Sequence, residues 1–507
     1  FRARYNGPNF ILEKKLYLQK WQESKLEHLF DCSERMYNET VYYANGCINK
    51  LRKDADYITT LELYNNEKDE DTKKQYGKTL ATIREKYGLT KSGLQKFIND
   101  LRNESYMGTI ESDVAQKLAD RVWKAVEKCL FSNGKKIHFK KFRTLDSIEG
   151  KKNITANRFD KNANVDDYQK MVIPVKIRDN DYYAKEALEN EIAYCRIVRK
   201  PFKNGYEYFV QIVLRGVPPL KPNRMPNFNG GNTAFDMGTS VVNAIGQEDG
   251  LMEPLAPKTV KECNKAIILL SRQLDRIRRL NNPNNYKEDG TCKKGHHKWV
   301  KTKNYYKTLF ALKNMYRLKS IYIREHQARL QNKILSYGGN FATEDINFTS
   351  WMRRSKKPTE QTDKEIEVTN KKGEKKKVKK CKKKKRFGKT LNNNSPGKFV
   401  RDFAKKLEYF GLELEMINTK EFKASQINHD TGEYEKIPLS QRTKIVAGHK
   451  VQRDLYSAFA MANRKDLETI DRQKCIDNFE KFLEIQERII NNLKARGDDL
   501  PACMGIK

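Results

Sequence analysis

Apolar and polar positions change period several times along the chain, and the changes divide it. Phe10 to Tyr17, FILEKKLY, alternates and predicts an opening strand. Trp21 to Arg52 then places Leu26, Leu29, Phe30, Met36 and Tyr37 mostly at helical spacing, which predicts a helix with one buried face. Helical patterning continues from Asp54 to Asn103 with a charged break at Asn65 to Lys74, and it returns from Asp113 to Phe131. In GKKIHFKKF, which starts at Gly134, Lys136, His138 and Lys140 alternate with Ile137 and Phe139 before the pattern slips at Lys141-Phe142. That predicts a strand with one basic and one apolar face. Met171 to Ile177, Glu191 to Arg199 and Tyr206 to Leu214 predict further strands, and Asn204-Gly205 predicts a hairpin. Pro218 to Asn232 is a Pro/Gly/Asn linker.

Beyond the linker, NTAFDMGTSVVNAIGQEDG, Asn232 to Gly250, reads as two strands that turn at Met237-Gly238-Thr239, with Asp236 inside the first. An acid between Phe235 and Met237 alternates out of the apolar face and is presented on a rigid strand. Glu344 ends a second short apolar run in NFATEDINFTS, Asn340 to Ser350, and Asp345 follows it. In VQRDLYSAFAMAN, Val451 to Asn463, Arg453 and Asp454 open a helical pattern carried by Leu455, Phe459 and Met461 or Ala462. One strand-borne Asp alone is ordinarily a solvated or hydrogen-bonded surface residue. Two strand-borne acids and one helix-borne acid can instead converge on divalent ions. Hard cations such as Mg²⁺ take carboxylate oxygens, and two of them roughly 3.5 to 4 Å apart hold both the attacking and the leaving oxygen of a phosphodiester.

Charge points the same way. Across 507 residues there are 101 Lys and Arg against 65 Asp and Glu, a formal charge of +36, with a pI near 9.6. That excess favours a polyanionic partner. No apolar run approaches the roughly 20 residues that span a bilayer, which argues against membrane, and no secretory signal is present. The chain begins at Phe1 instead of Met, so a leader there would be invisible. Nine scattered cysteines with no CxxC pair favour reduced thiols and a cytosolic protein. A mean hydropathy of −0.85 would fit disorder in a short chain, but 10% aromatics, including 25 Tyr, favour folded, nucleic-acid-facing surfaces. The length allows two to four packed units.

Two other clusters invite a chemical reading. Cys292, His296 and His297 in TCKKGHHKW lack a fourth ligand and sit at a charged tip between helical stretches, which favours a solvated loop over a metal site. Lys371 to Arg386 is basic at twelve of sixteen positions and reads as a flexible, phosphate-contacting loop beside Glu344, with salt-sensitive contacts that carry no sequence information.

The order, spacing and flanks of Asp236, Glu344 and Asp454 resemble the RuvC-type nuclease core of TnpB, the transposon-encoded RNA-guided endonuclease family, and of the related compact type V CRISPR effectors. Val260 to Leu280 and Lys303 to Leu335 resemble the long helical hairpin these proteins carry between the first and second acids. SPGKFVRDFAKKLEYFGLELEMINT, Ser395 to Thr419, is similar to the family's helix that leads through a glycine into a strand. KASQINH and LSQR are similar to its Ser-Gln and Leu-Ser-x-Arg pieces, and ERMYNETVYY and KLADRVWKAVEKCLFSNGKKIHFKKF resemble its helices and the basic strand after them.

The resemblance implies an α+β multidomain fold. A wedge β-barrel in two parts, residues 1–20 and 132–229, is interrupted by a helical recognition lobe, 21–131. A ribonuclease-H-like (RuvC) α/β nuclease domain follows in 230–420 and 451–507, with a target-binding insert at 421–450. It implies Asp236, Glu344 and Asp454 as catalytic and metal-binding residues, two carboxylate-bound Mg²⁺ ions, a guide RNA, a double-stranded DNA target, and a prokaryotic cytosolic, nucleoid-associated location. The expected nucleic-acid contacts are Lys136, Lys140, Lys141, Arg353, Arg354, Lys398, Ser425, Gln426, Arg442 and Arg453. One departure stands out. Relatives commonly place a four-cysteine zinc ribbon between Phe422 and Asp454, where this chain has Ser425, Gln426, His429, Ser440, Arg442 and His449. Two histidines cannot close a tetrahedral site, so a zinc-free remnant packed by Tyr434, Ile437 and Leu439 is expected. The alternatives are a nuclease-silent guided DNA-binding repressor and an accessory protein or transposase of a transposon. The three acids speak against the first, and the absence of a tyrosine-nucleophile motif with paired histidines speaks against the second.

Overall fold

The alternation at Phe10 and the helical spacing after Trp21 are both realised, as β1 (Asn9–Lys15) and a 32-residue helix, α1 (Lys20–Leu51). The computed structural model describes residues 5–132, 134–150, 177–220, 224–228, 230–352, 358–369, 375–383, 387–438, 440–497 and 500–506. These form a mixed α+β chain of two units that divide between Pro219 and Leu220, within the Pro/Gly/Asn stretch. No helix among the described residues is long and apolar enough to cross a membrane. Cys32, Cys47, Cys129, Cys195, Cys263, Cys292, Cys475 and Cys503 are free thiols.

The first unit continues through α2 (Ala55–Asn66), α3 (Glu70–Lys86), α4 (Lys91–Leu101), α5 (Ser112–Phe131), β2 (Ser147–Glu149), α6 (Tyr182–Ala187), β3 (Ile192–Phe202) and β4 (Gly205–Arg215). The helical stretch after Asp54 breaks twice, not once. Besides the charged break after Asn66, α3 ends where Gly88 takes a φ of +67° and the Leu89 N–H reaches back to the Arg84 carbonyl at 2.9 Å. Thr90 then caps α4 by accepting from the Gly93 N–H at 3.0 Å. The Asn204-Gly205 hairpin forms as its sequence indicates. Among the described residues the strands make an open antiparallel sheet in the order β1-β4-β3-β2, where a closed barrel was expected. Residues 171–176 of the expected strand Met171 to Ile177 lie outside the described residues.

The predicted basic strand at Gly134 to Phe142 does not join that sheet. Its backbone groups are satisfied by side chains of α1 instead. The Asn45 amide donates to the Ile137 carbonyl and accepts from the Ile137 N–H, both at 3.0 Å. Asn38 does the same for Lys140 at 2.9 and 2.7 Å, and Arg52 donates to the Lys135 carbonyl at 2.6 Å. One turn before Asn38, the buried Glu34 carboxylate accepts three successive backbone N–H groups, from Arg143, Thr144 and Leu145, at 2.7 to 2.8 Å. Arg143 turns the chain into this cradle with a φ of +58°. Residues 34, 38, 45 and 52 fall on one stripe of the helix, so the pairing that a neighbouring strand would give comes from a helix face. Lys136 and Lys141 are left exposed, with Lys140 half-buried.

The second unit opens with β5 (Asn232–Met237), β6 (Val241–Ile245) and β7 (Gly250–Pro254), then α7 (Thr259–Leu280), α8 (Lys303–Leu335), β8 (Asn340–Glu344) and α9 (Phe348–Met352). A hairpin, β9 (Pro358–Thr369) and β10 (Lys375–Lys383), leads to α10 (Gly388–Asn394), α11 (Pro396–Glu408), β11 (Leu414–Ile417) and α12 (Thr419–Phe422). The chain ends with β12 (Thr443–Val446), β13 (His449–Gln452), α13 (Arg453–Ala462), α14 (Arg472–Asp477) and α15 (Phe479–Ala495). The expected helical hairpin is α7 with α8, tied through Lys319, whose ammonium donates to Asn264 at 2.9 Å and to Asn393 at 2.6 Å. The central sheet runs β11-β8-β5-β6-β7. Its first three strands are parallel and its last three form an antiparallel meander.

Two expectations are corrected here. The basic run after Lys371 is not wholly a loop, because residues 375–383 pair with β9. The backbone register sets Lys379 opposite Glu365, a basic and an acidic residue directly across the pair. The segment 421–450 is not held by Tyr434, which is 50% exposed, and Leu439 lies outside the described residues. Phe422, Ala424, Ile427 and His429 are buried instead, and Val446 and Val451 join them in the core under α13 and α15. The His429 ring shares a 2.9 Å hydrogen bond with the Tyr456 hydroxyl and sits 4.7 Å from the Phe479 ring. Burial holds its pKa below the ordinary value. The His429 ring is thus surrounded by the rings of Tyr456, Phe459 and Phe479.

Removing the Glu34 carboxylate strands three N–H groups, so Glu34→Ala should destabilise the first unit by about 3 kcal/mol or more. Lys136→Ala in the same segment should change stability by less than about 0.5 kcal/mol. Chemical denaturation of the two variants beside wild type checks this. Equal stabilities would show that the helix-face pairing contributes nothing.

Candidate metal centre

The two apolar cores of the second unit decide where its acids point. Phe235, Met237 and Phe341 face one core with Phe399, Phe403 and Leu407 of α11. Ala234 and Ala342 face the other with Leu455, Ala458 and Phe459 of α13. Side chains alternate along a strand, so Asp236 and Glu344, two residues on from those alanines, face the α13 side. The strands are parallel and Phe235 is in register with Thr343. The two acids therefore emerge side by side at the carboxyl ends of β5 and β8. The Thr343 hydroxyl locks this pairing by donating to the Phe235 carbonyl at 2.8 Å.

Asp454 comes from the first turn of α13, where the helix dipole favours an acid. Gln452 caps that helix by accepting from the Leu455 N–H at 2.6 Å. Arg453 donates its Nε to Asp454 Oδ1 at 3.2 Å, and Arg442 stands 3.7 Å from Oδ2. Arg453 is itself buried, and its backbone N–H donates to the Arg442 carbonyl at 2.9 Å.

The electrostatics mark the three as one group. Burial pushes the Asp236 carboxyl well above the usual carboxylate range, with the negative charges of Glu344 and Asp454 pushing it further and Arg453 opposing them. Burial raises Glu344 to about 7. Both carboxyls are thus held against ionisation, and a divalent cation between them would reverse that cost. The donor chemistry fits Mg²⁺, since all three acids offer hard oxygens and no thiolate or imidazole. Among the described residues, however, no three His, Cys, Asp or Glu side chains converge closely enough to hold an ion as they stand.

The other candidates fall in several places. Lys136, Lys140 and Lys141 belong to the first unit. Arg353 and Arg354 lie outside the described residues. Lys398 stands in the first turn of α11, beside a cleft that opens from Glu344, and is ion-paired with Asp402. Ser425 and Gln426 occupy a turn in which Lys444 donates to the carbonyls of Ile427 and Ser425, at 2.7 and 3.4 Å. Arg442 and Arg453 meet Asp454, as above. Cys292, His296 and His297 lie in an exposed loop, with a ring nitrogen of His297 at 2.8 Å from the Lys293 carbonyl. Asn243 was missed. It is directly opposite Asp236 in register, 2% exposed, and its Oδ1 has no hydrogen-bond partner. A lone polar residue in the apolar run VVNAI was the available signal.

No family model matches this chain, and no curated protein matches it. Among solved structures it is similar in part to a Cas12f1–sgRNA–target DNA complex determined by cryo-electron microscopy. The TM-score is 0.42 at 9% identity, covering 91% of this chain and 100% of that one. A CRISPR-Cas12f ternary complex aligns with a TM-score of 0.23 at 10% identity, covering 88% of this chain and 86% of that one. At such TM-scores and identities neither likeness carries a conclusion about activity.

Proposed function

We propose that this chain is an RNA-guided DNA endonuclease of the kind its sequence resembles, with a ribonuclease-H-like nuclease core in the second unit. One observation carries the reading. Asp236 and Glu344 stand together at the carboxyl ends of two parallel strands, on the face where α13 starts with Asp454, and their shared burial makes joint ionisation costly. Such a group gains most from a doubly charged cation.

Asp236, Glu344 and Asp454 would hold Mg²⁺, which when bound supplies a Lewis acid for phosphodiester hydrolysis. Arg442 and Arg453 hold Asp454 in place until it is needed, and Asn243 offers an acceptor beside Asp236. The excess of Lys and Arg binds the sugar-phosphate backbone of guide and target without reading bases. Sequence choice falls to pairing with the RNA, and the protein reads only a short adjoining duplex motif. No role for zinc is proposed in residues 421–450, where His429 is engaged with Tyr456 and Phe479. The reading places the protein in a prokaryotic cytosol. A second reading, a nuclease-silent guided DNA binder, is favoured by the two guanidinium groups that occupy Asp454.

Plasmid cleavage separates the two. Wild-type protein with its guide RNA should cut a matched plasmid in Mg²⁺, Asp236→Ala should lose at least about a thousandfold in rate while still binding guide and target, and a new guide should redirect the cut. Binding without cleavage in wild type would establish the silent reading.

The raised pKa values give a second test. Folded protein binds the Glu344 proton more tightly than unfolded chain, so its contribution to stability is full below the ordinary carboxylate range and is lost as pH rises through about 7. Without divalent ions, Glu344→Gln should melt a few degrees above wild type at pH 8.5 and level with it at pH 5. Mg²⁺ should close the gap by stabilising wild type. A gap that is constant across pH would contradict the assignment. Elemental analysis after dialysis against a weak chelator should find no stoichiometric zinc, and one retained equivalent would overturn the account of residues 421–450.

A further inference from the structure

The cleft that opens from Glu344 has a volume of 590 Å³, inside the range of roughly 300–1,000 Å³ typical of ligand sites. Its walls are largely apolar. Ile346 and Phe348, just past β8, face Leu391 of α10 and Val400 of α11 across it. Phe348 packs edge-on against Trp351 with ring centroids 5.4 Å apart. On the other side α11 comes close, because Gly397 has no side chain and a Cβ there would stand 3.1 Å from the Phe348 ring. Met352 and Met416, 55% and 40% exposed, form a soft apolar mouth. Asn347 and Asn392 supply amides at the rim, and Lys398 and Arg401 supply positive charge.

Sugar-phosphate backbone needs cations and hydrogen-bond donors but has no use for an apolar slot. A nucleobase has two apolar faces and a polar edge, and such bases are held by aromatic and apolar walls with amides at the edge. The cleft offers both kinds of wall, and the carboxylate that ends β8 stands at its margin. We infer that it is a nucleobase pocket, which takes the base of the nucleotide flanking the scissile phosphodiester while Lys398 and Arg401 hold the backbone leading away. This rests on the nuclease reading and adds to it. The flexible methionine mouth fits any base, so the pocket senses whether a base is present and not which one. A strand whose flanking base is missing, or held in a duplex stack, should be positioned poorly at the acids.

The test uses the full chain with its guide RNA and two sets of target strands. In the first, a single abasic site is moved stepwise past the cut. Wild type should lose at least tenfold in rate at one position only, and Val400→Trp, which fills the cleft, should cut intact target at that same reduced rate and show no further loss. In the second, 2-aminopurine takes the same series of positions in target bound to the Asp236→Ala protein. Emission should change at one position, and adding Val400→Trp should abolish that change. Cutting that ignores the abasic site everywhere, together with flat emission, would overturn the pocket. Wild-type protein that cuts nothing yet changes emission at one position would overturn the nuclease reading and keep the pocket.

Discussion

The reading of the second unit depends on one constraint: β5 and β8 bury apolar side chains on both faces of the sheet, so their carboxylates come clear of the packing only near the carboxyl ends of the strands. Phe235 and Phe341 are fully committed to the core under α11, and Ala234 and Ala342 to the core under α13. Asp236 and Glu344 are the first positions on the second face that escape the packing. The small alanines beneath them let α13 approach closely enough for Asp454 to share their field. Strand period, parallel register and one helix start together bring three half-buried carboxyls into one field, where each makes ionisation of the others costly.

The same economy appears in the first unit with other chemistry. There α1 has an apolar stripe for the core and, beside it, a polar stripe of Glu34, Asn38 and Asn45, continued by Arg52 at its C-cap, that serves a neighbouring backbone. The polar stripe fixes the segment that carries Lys136, Lys140 and Lys141, so these basic residues are displayed on a braced scaffold. Phosphate contacts made from such a scaffold keep their register, whereas contacts from a free loop would have to be ordered on binding.

Much of this was legible in the residues. Period-two alternation located β1, short apolar runs and the Asn204-Gly205 turn located β3, β4 and β5, and helical patterning located α1, α5 and α13, whereas α7 and α8 were expected from the family resemblance. The acids were visible as polar positions that interrupt apolar runs. What was not legible depended on partners distant in sequence. The segment after Gly134 has a strand's alternation, but its hydrogen bonds go to asparagines about a hundred residues earlier, which no local pattern reveals. The basic run after Lys371 looked self-repelling because the strand it pairs with, which sets Glu365 opposite Lys379, lies earlier in the chain. Tyr434 looked like core because it is aromatic, while His429, polar in the text, was the residue taken inside.

The account stands on the claim that Asp236, Glu344 and Asp454 close on divalent ions. The most direct measurement is a titration of the purified protein with Mn²⁺, followed by electron paramagnetic resonance, with Mg²⁺ as competitor. Wild type should take up two Mn²⁺ that Mg²⁺ displaces, and the Asp236→Asn, Glu344→Gln double variant should take up neither. Equal Mn²⁺ uptake by the two proteins, or none by wild type, would contradict the claim.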